Sequence, residues 1–395
     1  MSNLTPFVIQ TEWIHIQYTE SSAFNETYGF AGNQGAINLE GILMRPKGHA
    51  SKTLMIFMHP ASTLQLLPVP RAMVQAGAHV LCAASRYAKN DTALILEKVA
   101  IDLGAYIRHA KEKWGYEKIV LVGWSGGGSL AVFYQSQAEN PTITHTPAGD
   151  PVDLRGARLI PADAVIFQAA HLSRGHLLVD TIDPSVSNEL DPDKRICELD
   201  IYDPRNPNQP PYSLEFIQKY RAAQIERVRR ITGWVKQTLT MLKDRNSGEM
   251  ERGFVVHRTL ADPRFLDPQL DPNGRKPGWC YMGNPETVNS GPVGLARFCT
   301  LRSWLSQWSI DDSRANGITC AAVMKAPLLV IENGADDAVP QRHSKMLFEA
   351  AGSPDKTMSV VHGATHYYAG QPEQLAQATQ SIRAWLTSRA LLEAC

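Results

Sequence analysis

The sequence has no surplus of either charge. Thirty-nine Lys and Arg balance 39 Asp and Glu, so the formal net charge is zero. That balance argues against a general nucleic-acid binder and against a polybasic membrane-surface protein, both of which carry a basic excess. No apolar run approaches the ~18–20 residues needed to cross a bilayer. The start, Met1-Ser2-Asn3-Leu4-Thr5-Pro6, has no basic stretch leading into an apolar one, so no secretory signal is expected. The six cysteines (Cys82, Cys197, Cys280, Cys299, Cys320 and Cys395) form no CxxC pair and no Cys/His cluster of zinc-like spacing. Free thiols, a cytoplasmic setting and no bound metal are the expectation. Neither an internal repeat nor a low-complexity tract is present. What remains is ordinary globular composition, 44% hydrophobic and 20% charged over 395 residues. At roughly 100–200 residues per domain, that is two domains or one large domain with an insertion.

The first part of the chain alternates buried strands with helices. Phe7–Tyr18 and Ala36–Met44 read as strands on either side of a Gly- and Asn-rich turn at 29–35. Thr53–Met58, His79–Ala84, Lys118–Val122 and Ala164–Phe167 are short apolar runs of the kind buried on both faces of a sheet. Between them, a short helix is predicted near Pro70–Ala76, a long one over Thr92–Trp114 and a third over Gly126–Gln137. This is the signature of a mostly parallel sheet flanked by helices. The rhythm stops from about His171 to Lys325, where Asp-Pro pairs such as Asp183-Pro184, Asp203-Pro204, Asp262-Pro263 and Asp267-Pro268 predict turns. One long helix stands out there, with Ser213 as its N-cap and an apolar stripe through Ile217, Tyr220, Val228, Ile231, Val235 and Leu242. Arg227, Arg229 and Arg230 on that helix read as solvated or salt-bridged rather than catalytic. The alternation resumes with strands at Leu328–Ile331 and Thr357–Val361 and helices at His343–Ala351 and Leu375–Ala390.

Gly123-Trp124-Ser125-Gly126-Gly127 is a G-x-S-x-G, entered from a strand and left by a helix. A sharp turn there would hold the serine oxygen exposed at a helix N-terminus, and a Cβ at 123 or 127 would collide with the turn. A phosphate-binding loop cannot be laid on this stretch. A serine hydroxyl needs a base, and the base an orienting carboxylate. Strand 328–331 leads into Asn333-Gly334-Ala335-Asp336-Asp337, and strand 357–361 into His362-Gly363-Ala364-Thr365-His366. Both loops lie past the carboxyl ends of strands, on the sheet edge where the serine lies.

Elbow serine, then acid, then histidine is the order of the α/β-hydrolases, and the chain resembles that family over 1–170 and 326–395. The resemblance implies an α/β-hydrolase core with an inserted, mainly helical and irregular cap over 171–325. It puts the nucleophile on Ser125 and the base on His366, with His362 as a lesser candidate. Its D-x-x-V-P pattern selects Asp336 over Asp337 as the acid. It also implies two backbone oxyanion donors. One is Gly126 N–H. The other comes from the loop after the third strand, here His59-Pro60-Ala61-Ser62, where the family usually has His-Gly. Proline has no N–H, so Ala61 is the candidate, with Ser62 behind it and His59 read as a structural tie. Trp124, Ser62 and Arg86 are candidate pocket residues. Trp234, Trp279, Tyr281, Trp304 and Trp308 are candidates to line a pocket under the cap or to form its own core. The implied activity is acyl transfer from a small carboxylic ester to water through an acyl-enzyme, with no cofactor. C–C bond hydrolysis of a diketone-like substrate, thioester or amide hydrolysis, and a non-catalytic binding protein on the same fold are the alternatives. Partners other than a small-molecule substrate are not implied, and oligomeric state is not readable.

Overall fold

The computed structural model describes residues 7–20 and 35–393. Most of the turn expected at 29–35, and Cys395, lie outside them. In chain order the elements are β1 (Ile9–Thr19), β2 (Ala36–Pro46), β3 (Thr53–Met58), α1 (Pro68–Gln75), β4 (His79–Ala83), α2 (Leu96–Glu112), β5 (Lys118–Ser125), α3 (Gly126–Glu139) and β6 (Ala164–Ala170). Then come α4 (Arg174–Thr181), α5 (Leu214–Arg245), β7 (Gly253–Val255), α6 (Pro285–Ser290), β8 (Phe298–Thr300), α7 (Leu301–Gln307) and α8 (Gly317–Val323). The chain closes with β9 (Leu328–Asn333), α9 (Gln341–Ala350), β10 (Lys356–Val361) and α10 (Pro372–Thr387).

Eight strands form one sheet in the order β1-β2-β4-β3-β5-β6-β9-β10. β2 pairs antiparallel with both β1 and β4, and every other pairing is parallel. β3, β4 and β6 are buried along their whole length. Successive residues part to opposite faces, as strand geometry requires. Leu54 and Ile56 join one apolar cluster with Leu121, Phe167 and Val330. Met55 and Phe57 join a second with Val122, Ile166 and Ile331. Val99, Leu103 and Ile107 of α2, with Leu130 and Phe133 of α3, cover the first face. Met73 and Val74 of α1, with Ile382 and Leu386 of α10, cover the second. α2 begins at Leu96 rather than near Thr92 because the chain from further on pins its entry. Thr92 O accepts from Thr300 N at 2.9 Å and from Ser303 Oγ at 2.6 Å, and Leu96 N donates to Ser306 Oγ at 2.8 Å.

The chain between β6 and β9 adds no strand to this sheet; its two short strands, β7 and β8, pair only with each other. α5 is the long helix read from the sequence, and Ser213 Oγ caps it by accepting Phe216 N at 3.1 Å. Its Val228, Ile231, Val235 and Leu242 pack on Leu178, Ile182, Trp304, Leu305 and Trp308. Towards its end, Ala315, Cys320, Ala321 and Met324 pack into the first apolar cluster of the sheet. Among the described residues no helix is long and apolar enough to cross a membrane.

Candidate active site

Six loops at the carboxyl ends of the parallel strands converge, which is where open α/β sheets build sites. β5 runs into α3 through Ser125, whose backbone sits at φ 55° and ψ −124°. A side chain at positive φ costs on the order of 1–3 kcal/mol and persists only where its surroundings enforce it. They do so here by close approach. A Cβ on Gly123 would stand 2.3 Å from Gly127 O, and one on Gly127 would stand 2.3 Å from Met58 O. The chain therefore turns from strand to helix within one residue. Gly126 N–H is at the first helical position, where the helix itself offers no acceptor.

Asp336 and His366, the expected acid and base, follow β9 and β10. Asp336 Oδ1 accepts Ala338 N and Val339 N at 2.8 Å each, which fixes the carboxylate. Its Oδ2 lies 3.1 Å from His366 Nδ1. With the proton on Nδ1, His366 Nε2 keeps the lone pair that a general base needs. Asp337 takes a different place. Its Oδ1 accepts the His366 backbone N–H at 3.3 Å, and burial followed by the nearby Asp336 charge raises its pKa. His362 is exposed. The His366 loop is tied from beneath: Tyr368 OH donates to Asn333 Oδ1 at 2.6 Å and accepts from Gln168 Nε2 at 3.0 Å. The His366 and Trp124 ring centroids are 4.5 Å apart. Asp336 and His366 are thus joined directly; among the described residues no hydrogen bond joins Ser125 Oγ to His366 Nε2.

Ser125 opens on a cavity of about 280 Å³. Trp124 and Ser62 line it, as expected for pocket residues. Arg86 does not. Its side chain is only 8% exposed and is bonded to Asp102 at 2.8 Å, to Glu20 at 2.6 Å and to Tyr18 OH at 2.6 Å. Of the five candidate aromatics, Tyr281 and Trp308 line the cavity. Trp304 is buried within the excursion's own cluster, while Trp234 and Trp279 are exposed. Arg174 also lines the cavity. It stacks on Trp308 at 4.3 Å and pairs with Asp91 at 2.5 Å. The excursion also grips the acid loop: Asn273 Nδ2 donates to Asp336 O at 2.8 Å and Tyr281 N to Asp337 O at 3.2 Å. Ala61, the expected second oxyanion donor, does not present its N–H to the cavity. It donates to His59 Nδ1 at 3.1 Å, and Ser62 N–H does the same at 2.9 Å. Among the described residues no group of His, Cys, Asp and Glu is arranged to hold a metal ion.

A sheet of this strand order, with a strained serine between β5 and α3 and the acid and histidine after β9 and β10, has the α/β-hydrolase fold. No protein-family model and no curated protein matches the sequence. Solved structures do resemble it. Est1E from Butyrivibrio proteoclasticus is 13% identical with a TM-score of 0.46, over 90% of this chain and 95% of that one. The α/β hydrolase GrgF from Penicillium sp. sh18 is 10% identical with a TM-score of 0.49, over 95% and 98%. An esterase from Pyrobaculum calidifontis is 13% identical with a TM-score of 0.44, over 97% and 86%.

Proposed function

We propose that the chain is a serine hydrolase of small carboxylic esters. The observation that carries this reading is Ser125, held at positive φ on the cavity wall, with the Asp336–His366 pair on the neighbouring loops of the same sheet edge. His366 Nε2 takes the Ser125 proton as Oγ attacks the ester carbonyl. The carbonyl π pair moves onto oxygen, and Gly126 N–H donates to that oxyanion. Collapse breaks the bond to the alkoxy group, which leaves with the proton from His366. Water, deprotonated by His366, then attacks the acyl carbonyl; collapse breaks the bond between the acyl carbon and Ser125 Oγ, which takes the proton back from His366, and the acid departs. Asp336 holds the imidazole in its tautomer and offsets the positive charge it acquires. The Ser125–His366 hydrogen bond that the first step needs would form on substrate binding, as catalytic hydrogen bonds commonly tighten only then. The excursion between β6 and β9 acts as a cap: Arg174, Leu177, Tyr281, Leu295 and Trp308 roof the cavity and set which acyl and alcohol groups fit. A volume of about 280 Å³ suits a small ester.

A fluorophosphonate probe tests the reading. Labelling mapped to Ser125, with hydrolysis of short-chain p-nitrophenyl esters, supports it. Folded protein that neither labels nor hydrolyses overturns it. Matched thioester, amide and diketone substrates on the same preparation separate the bond types.

A further inference from the structure

Two backbone N–H groups are the usual oxyanion donors of such a site, yet the loop after β3 has none free. Pro60 carries no N–H. Ala61 N–H and Ser62 N–H both point at His59 Nδ1, at 3.1 and 2.9 Å. The loop is pinned in this shape from outside: Ser85 Oγ donates to Pro60 O at 2.5 Å, and Lys89 N to Ala61 O at 2.6 Å.

Those two contacts determine where the His59 proton is. A ring nitrogen that accepts two N–H groups must present its lone pair, so Nδ1 is bare. A neutral imidazole then carries its single proton on Nε2. The ring is neutral at ordinary pH: burial, with the Arg174 and His366 charges, lowers its pKa to about 3. Nε2 lies against the elbow. A Cβ on Gly126 would stand 2.7 Å from it, so the glycine that supplies the first oxyanion donor also makes room for this nitrogen. His59 lines the cavity with Ser125, and among the described residues no acceptor is bonded to its Nε2–H. His171 Nε2 is farther from the same point, at 3.5 Å, and its Nδ1 has no partner to fix a tautomer.

We infer that His59 Nε2–H is the second oxyanion donor, a side chain standing where the fold would otherwise use a backbone N–H. The inference rests on the serine-hydrolase reading. As Ser125 Oγ bonds to the carbonyl carbon, the π pair becomes an oxyanion that accepts from Gly126 N–H and His59 Nε2–H. No proton leaves His59; the proton of Ser125 goes to His366. Ala61 and Ser62 serve as positioning groups, because their N–H groups hold the ring in the donating tautomer.

Two substitutions separate this role from a structural one. His59→Asn keeps an acceptor close to the Nδ1 position, for Ala61 and Ser62, but has nothing at Nε2. His59→Gln keeps a donor near Nε2 and loses the Nδ1 acceptor. Loss of one oxyanion donor lowers kcat by about 10²–10³. The expected result with a p-nitrophenyl ester is such a fall for His59→Asn, with KM and Tm close to those of the wild type. His59→Gln should retain at least tenfold more of kcat than His59→Asn. A structural tie gives the opposite order, with Asn tolerated and Gln impaired, and that order overturns the inference. So does a kcat for His59→Asn within about threefold of the wild type, where a lost donor demands a far larger fall. Ser125→Ala run alongside keeps the two readings apart. If wild type and Ser125→Ala hydrolyse the ester equally, the serine-hydrolase reading itself falls. If Ser125→Ala is dead while His59→Asn is fully active, only the role of His59 falls.

Discussion

Phe167 in β6 and Asp183 just beyond α4 are equally inaccessible, at 0% exposure. Phe167 lies among Leu121, Val165 and Val330, with nothing polar to satisfy. Asp183 is surrounded by donors: Arg258 Nε at 2.7 Å, Asn289 Nδ2 at 2.9 Å and Ser185 N at 2.9 Å. The contrast extends to the regions they represent. The sheet and its helices are held by two large apolar clusters, one on each face. The excursion has smaller clusters and a set of buried ion pairs, including Arg258–Asp200, Arg221–Asp262 and Arg264–Asp262. Apolar burial tolerates sliding; a paired buried charge does not, because losing its partner strands it. The irregular loops between the excursion's helices gain a defined shape this way.

If the sheet supplies the chemistry and the excursion shapes the cavity, substitutions in the two regions should separate turnover from stability. The largest effect is expected at the elbow. Ser125→Ala should lower kcat by about 10⁶ or to background, with Tm unchanged within about 2 °C. Retained turnover would remove the sheet edge from the chemistry. Next, Asp183→Ala and Phe167→Ala should each cost about 3–5 kcal/mol in urea unfolding, by different routes: in one, Arg258 Nε, Asn289 Nδ2 and Ser185 N lose their shared acceptor while Asp200 still pairs with Arg258; in the other, a cavity is left. Because Arg258 bridges Asp183 and Asp200, the triple replacement Asp183→Asn, Asp200→Asn and Arg258→Met tests the difference. It should recover more than half of the Asp183→Ala loss, since a buried ionic group exchanged whole costs little. No recovery would mean the excursion depends on shape at this point, as the sheet does.

The same contrast explains what the sequence made legible. Thr53–Met58 or Ala164–Phe167 announces a buried strand because each residue contributes the same interaction, and the elbow pattern is local to five positions. The Asp-Pro pairs were readable as turns, and Asp183, Asp203, Asp262 and Asp267 each accept the N–H two residues on, at 2.9–3.1 Å. Their partners across the fold were not readable. Arg275 donates to the carbonyls of Arg264, Asp267, Leu270 and Asp271, and satisfies much of an irregular loop alone. No spacing in the sequence marks that role. Nor does any spacing mark the place of Arg174 on the cavity, which depends on Trp308, Asp91 and Gln307, all distant in the chain. Ala61 follows from the resemblance and from the N–H that Pro60 lacks, and neither reveals that the His59 ring accepts the Ala61 N–H.

Acid should break the joint between the two regions before it breaks either alone. Burial, then the charge of His343, lowers the His176 pKa to about 4, and burial also lowers those of His343 and His171. The unfolded chain protonates these rings near pH 6.5 and the folded one does not, so stability falls as pH drops below ~6.5 and levels off below the folded values. Asp180 acts in a lower window. Burial opposes its charge, but the His343 hydrogen bond and the Arg342 charge outweigh that and lower its pKa. Its contribution is present above about pH 4 and disappears as pH falls through the folded value. Urea unfolding at pH 7.5, 6 and 5 should show the first loss, and His176→Gln should reduce its slope by up to about 1.4 kcal/mol per pH unit. An unchanged slope would assign the acid sensitivity to other groups.

The smallest effect separates buried pairs from exposed ones. Arg229 and Asp311 meet at 2.8 Å within the excursion, but their side chains are 60% and 47% exposed. Water already solvates both charges, so the pair has no stranded state to avoid. Arg229→Ala should leave Tm within about 2 °C of the wild type and turnover unchanged, where Asp183→Ala lowers Tm by several times that. A large loss at Arg229 would mean that the number of ion pairs, and not their burial, holds the excursion. An absent loss ties its rigidity to the few carboxylates that no water reaches.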